Sequence, residues 1–181
     1  MTKIFAAVLS VGLALFLLSP SFTDRDWLLG QDKKPTPADG HNIHVVAPHL
    51  VNGKVMGPFH HYCKSVSDTV LECLIYESTD PKALLVQVEY FIAKSVSRAN
   101  VPLKVWNKFY HDHAVEIASG RVQVLDMPED QAKKIADVAA KTDGIIFDLW
   151  QPHGAKAPNG EVGHPQAVGH KSLGEKEYKS S

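Results

Sequence analysis

"TVLECLIYESTDPKALLVQVEYFIA", residues 69–93, is the stretch that decides the fold. Its two halves, 69–78 and 83–93, are rich in β-branched and aromatic residues and flank a Pro-containing turn, Thr79-Asp80-Pro81-Lys82, which predicts a β-hairpin. In the second arm strand alternation puts Gln87 and Glu89 on one face, among Leu85, Val86, Val88 and Phe91. An ionised carboxylate in such surroundings costs several kcal/mol unless it is paired. Either that face is wet, or Glu89 meets a histidine, a lysine or a metal ion inside the protein. A Glu–His pair would also supply a general base.

Reading outward, "PLKVWNKFYH" (102–111) has Pro at its first position and Leu103, Val105, Trp106 and Phe109 at helical spacing. "VEIASGRVQVL" (115–125) alternates around Ser119-Gly120 and predicts a second hairpin. Asp126 followed by Glu129 resembles a capping box, after which "PEDQAKKIADVAAK" (128–141) reads as a helix that stops at Gly144. "IIFDLWQ" (145–151) closes the series as a strand. The expected fold is α+β: a single domain with a mainly antiparallel sheet and two or more helices.

The ends of the 181-residue chain differ from this middle. Lys3 precedes an apolar run from Ile4 to Leu18 and then Pro20. Such a run spans about 22 Å as a helix, short of a bilayer core of ~30 Å. Residues 1–21 therefore read as a signal peptide or N-terminal anchor, with Ser19 and Ser21 as small residues at a cleavage site. The protein is expected to be exported, either periplasmic or extracellular, or membrane-tethered through this segment. Residues 22–40 read as a linker, 41–152 as the domain, and 153–181, poor in large apolar residues, as a flexible tail. Lys and Arg number 19 against 20 Asp and Glu, a formal charge of −1 without a basic stripe, so nucleic acid is excluded as a partner. An oxidising compartment would permit Cys63 and Cys73 to pair; the alternative is two small buried thiols.

Chemistry concentrates in three neighbourhoods: "HHYC" (60–63), Glu89, and "HDH" (111–113). On an extended backbone residues i and i+2 share a face, so His61 with Cys63, and His111 with His113, could each offer two ligands to one ion. Imidazole and thiolate suit zinc or copper. The candidate metal ligands are His60, His61, Cys63, Glu89, His111 and His113; the competing reading is a hydrogen-bonded polar core. Nucleophile elbow, phosphate loop and dinucleotide glycine fingerprint are all absent, so the common hydrolase, kinase and dehydrogenase classes lack support.

"FHHYCK", "ECLIYESTDPKALLVQVEYFIA", "WNKFYHDHAVEIASG" and the late "FDLWQ", in that order and spacing, resemble the oil body-associated protein family. These are plant proteins with bacterial and fungal relatives, catalogued as a domain of unknown function. The resemblance covers residues 41–152. In the family a tryptophan usually precedes the first histidine of the late pair, whereas here Tyr110 does and Trp106 lies a helical turn away. The resemblance implies association with a lipid or membrane surface and names no reaction. Plant members carry both cysteines in a reducing compartment, which favours free thiols. The expected function is a non-enzymatic, lipid- or apolar-ligand-associated envelope protein; the alternative is a metal-dependent enzyme using the His/Cys/Glu cluster.

Overall fold

In the computed structural model, which describes residues 36–180, the alternating segments form four consecutive antiparallel strands: β1 (Ile43–Val51), β2 (Lys54–Ser67), β3 (Val70–Tyr76) and β4 (Leu85–Ala93). Asn52 and Gly53, at φ 49° and 77°, make the two-residue turn between β1 and β2, the backbone geometry for which Asn-Gly is suited. The 69–93 hairpin is present, with Cys73 opposite Glu89 and Leu74 opposite Val88. The leader and most of the linker lie outside the described residues.

After β4 the chain forms α1 (Lys94–Asn100), α2 (Leu103–Phe109), β5 (Tyr110–Asp112), α3 (His113–Ala118), β6 (Gln123–Leu125), α4 (Glu129–Ala139), β7 (Thr142–Asp148), β8 (Gln166–Ala167) and α5 (Glu175–Lys179). The strands make one sheet in the order β5-β7-β4-β3-β2-β1-β6, with β8 also on β1, and every pair is antiparallel. The fold is α+β. One sheet face is buried: Val45, Ala47 and His49 of β1, Phe59, His61 and Cys63 of β2, Cys73 and Ile75 of β3, and Gln87, Glu89 and Phe91 of β4. Ala139 of α4 belongs to that core, and Ile117 of α3 packs against it.

Four local expectations are corrected. The 115–125 segment is not a hairpin, because Asp112 accepts the Ala114 amide at 2.8 Å and caps α3, leaving only 123–125 as a strand. Asp126 does not cap α4; its φ is +60° and its carboxylate lies 2.6 Å from His44 Nδ1. Gly144 is not a helix stop but sits inside β7, opposite Phe91 and His111. Residues 153–180 are not a loose tail. β8 pairs with β1, Gly163 bridges to Asp148, Asn107 bonds the Leu173 backbone in both directions, and Tyr178 of α5 packs on Trp106 at 6.0 Å. Backbone pairing and one buried aromatic do there what a run of apolar residues does elsewhere.

The buried Asp143 of β7 ties these pieces together. It accepts from Ser97 Oγ at 2.6 Å, Trp106 Nε1 at 2.9 Å and Arg98 at 2.8 and 3.0 Å. Arg98 also reaches Asp112 at 2.9 Å, and Lys94 reaches it at 2.7 Å. Burial disfavours the Asp112 anion, but the bonds from Lys94, the Ala114 amide and Arg98 outweigh that and hold its pKa down. The short β5 segment with His111, and the start of α3 with His113, are thereby fixed against β7.

Candidate functional site

Glu89 is 2% exposed, and imidazoles from three other elements meet its carboxylate. Oε1 lies 3.0 Å from His111 Nε2 and 3.2 Å from His113 Nε2, and these two nitrogens are themselves 3.2 Å apart. Oε2 lies 3.4 Å from His61 Nε2, which is 3.0 Å from His49 Nε2. The i, i+2 logic holds for His111 and His113, because residues 110–112 are extended and His113 opens α3 directly behind them.

The far side of the rings determines what the near side offers. His61 Nδ1 faces the Phe59 carbonyl at 3.2 Å, so it carries the hydrogen. His113 Nδ1 faces Thr142 Oγ1 at 2.8 Å; that hydroxyl already donates to the Ala139 carbonyl at 2.7 Å, so it accepts here. His49 Nδ1 donates to Gln87 Oε1 at 2.7 Å. A neutral imidazole has one donor and one acceptor nitrogen. When neutral, these three rings therefore aim bare Nε2 lone pairs at one another and at a carboxylate, and a proton or a metal ion between the atoms turns each contact from repulsion to attraction.

Burial would raise the Glu89 pKa, but its contacts with His111, His113 and His61 outweigh that and hold the carboxyl well below its usual range. Burial, reinforced by the charge of His61, pushes His49 down to about 3. Burial and the charge of Glu89 push Glu116 up to about 7, against the pull of His111. Glu116 Oε2 is 4.0 Å from His111 Nε2, and its Oε1 is buried without a hydrogen-bond partner, as is His111 Nδ1. Two sets, His49–His61–Glu89 and Glu89–His111–His113, each place three ligand atoms within 4.8 Å of one another and could hold a metal ion. A cavity of about 210 Å³ adjoins them, walled by apolar side chains including Val45, Leu71, Phe91, Ile117 and Val124.

A family model described as "Protein of unknown function (DUF1264)" matches residues 36–174. Oil body-associated protein 2C of Arabidopsis thaliana is 32% identical over 142 residues, covering 74% of this chain and 58% of that relative. Oil body-associated protein 1B of Arabidopsis thaliana is 29% identical over 112 residues, covering 61% and 42%. This chain belongs to the oil body-associated protein family. Oil body-associated protein 2B of Zea mays is 30% identical over 93 residues, covering 51% of this chain and 36% of that relative. The chain thus spans about half the length, or less, of the curated relatives it matches. No solved structure matches it.

Of the candidate ligands in this family member, the fold brings together His61, Glu89, His111 and His113. His60 points to the other sheet face, where its Nδ1 lies 3.0 Å from His44 Nε2. Cys63 shares the face of His61 but is disulfide-bonded to Cys73, its register partner on β3 at a Cα–Cα distance of 4.0 Å. That corrects the expectation of free thiols and leaves Cys63 no thiolate to offer a metal. Sequence reasoning missed His49, Glu116 and Thr142. The buried alternation Val45, Ala47, His49 was the available signal for the first.

Proposed function

We propose that this protein binds a divalent transition-metal ion through Glu89 and the imidazoles around it, and that the adjoining cavity brings an apolar ligand to that ion. One observation carries the reading: three rings, each with an Nδ1 hydrogen bonded outward, turn their Nε2 atoms toward each other and toward an ionised carboxylate. Electron pairs at 3.0–3.4 Å repel unless positive charge lies between them, and a cation meets all of them at once. Two histidines with one carboxylate on one side of an ion suit zinc, copper or iron.

The apolar cavity wall supports a ligand of lipid or fatty-acyl class, as do the names of the oil body-associated relatives. An exported location, periplasmic, extracellular or membrane-tethered, is supported by the leader-like residues 1–21 and by a disulfide, which persists in oxidising compartments. The test is elemental analysis of the full chain purified without a histidine tag. At least about one equivalent of transition metal per chain is expected, lost in Glu89→Gln. A metal-free protein that takes up no zinc, copper or iron on reconstitution would refute the reading.

A further inference from the structure

We propose that the site is dinuclear, with Glu89 bridging two ions: one on Oε1 with His111 and His113, the other on Oε2 with His49 and His61. This rests on the metal-binding reading above and goes beyond it in number and in ligands. The five ligand side chains fall into two triads sharing only Glu89, and each carboxylate oxygen faces its own imidazole partner. The triads match on every edge but one, since His49 stands within 4.8 Å of Glu89 but outside ion-pair distance. Around an ion with bonds of about 2.0–2.1 Å, tetrahedral ligand atoms stand about 3.3 Å apart. The Oε1 triad shows 3.0, 3.2 and 3.2 Å, and the other shows 3.0 Å between its imidazoles and 3.4 Å from His61 to Oε2.

Both triads are also supported from outside, one through both of its rings and the other through His113. Gln87 Oε1 and the Phe59 carbonyl fix the rings of one, and Thr142 Oγ1 fixes His113 in the other, the outer hydrogen bonding that metal-bound histidines receive. A single ion on the Oε1 triad leaves the Nε2 lone pairs of neutral His49 and His61 facing each other at 3.0 Å without a positive centre. Glu116 adds an independent pointer: its buried Oε1 has no hydrogen-bond partner, and it lies beside His111, where a second carboxylate offsets the charge of two cations. A carboxylate bridging through separate oxygens holds two ions about 3.5–4 Å apart, the spacing at which both act on one bound group.

The test titrates metal-free full chain with Co²⁺ or Mn²⁺ and reads bound equivalents by elemental analysis together with electron paramagnetic resonance. The expected result is about two equivalents, with spin coupling that appears only as the second ion fills. His49→Ala and His113→Ala are each expected to fall to about one equivalent and to lose the coupling, and Glu89→Gln to lose both ions. One equivalent in the parent, or two without coupling, overturns the bridged pair and leaves a mononuclear site standing. No bound metal overturns the underlying reading as well. Because the coupling is read on the parent protein, a variant that fails to fold does not blunt the test.

Discussion

Gly144 carries as much information about the site as any ligand. A Cβ built there would stand 2.3 Å from His111 Nε2 and 2.5 Å from Glu89 Oε1, so an alanine must push both ligand atoms from their places. Gly144→Ala is expected to lower bound metal and to destabilise the fold by about 1–3 kcal/mol, the usual cost of overfilling a packed site. Elemental analysis with urea unfolding measures both, and unchanged metal content would mean that the ligands lie elsewhere. At this scale the sequence was partly legible. Glu89 stands out because its neighbours are apolar, and the paired histidines because spacing of two is meaningful on an extended chain. His49 was hidden behind Pro48 and a register shift between Ala47 and His49. Glu116 was masked by an alternation that turned out to be helical, since α3 is only six residues long.

Among the elements, α5 departs most from what composition suggests. Five residues hold a helix against the domain through Tyr178, which is 6% exposed, stacks edge-on against Trp106 and hydrogen-bonds the Val101 carbonyl. Tyr178→Ala is expected to cost about 3 kcal/mol, as for other buried aromatic truncations. That corresponds to a fall of roughly 6–12 °C in Tm for a domain of this size. A change below about 2 °C would show that the segment contributes little to the fold. Long periodic stretches such as β3, β4 and α4 could be read directly, because their period is repeated several times. β8 and α5 could not: two-residue pairing and single aromatic contacts leave no periodic trace, and their partners lie more than a hundred residues away for β8 on β1. The disulfide belongs to this scale as well, since it pins β2 to β3 across a register pair. Closing a loop of 10 residues stabilises by about 2–3 kcal/mol in the chain-entropy account. The double variant Cys63→Ala/Cys73→Ala is expected to lose that much in urea unfolding while keeping its metal content. Loss of metal would restore Cys63 as a ligand.

For the whole molecule, the buried acid and the buried base should oppose each other in the metal-free state. His49, held at about 3 against an ordinary 6.5, contributes stability that is present above pH 6.5 and lost as pH falls toward 3. Glu116, raised to about 7 from 4.5, contributes stability that is full below pH 4.5 and lost as pH rises through 7. Between those limits the two slopes have opposite sign. Removing one exposes the other: relative to the parent, metal-free Glu116→Gln should gain stability from pH 4.5 to 6.5, by on the order of 1–3 kcal/mol, in urea titrations. Parallel pH curves for the two proteins would mean that Glu116 is not held protonated by its surroundings.

The central claim is that Glu89 is a metal ligand, and anomalous X-ray scattering at the absorption edge of the bound metal tests it most directly. The account predicts anomalous peaks within about 2.0–2.3 Å of the Glu89 carboxylate oxygens and of the His111 and His113 Nε2 atoms. A crystal of the metal-loaded protein with no peak at Glu89, or with peaks only at surface histidines, would contradict it.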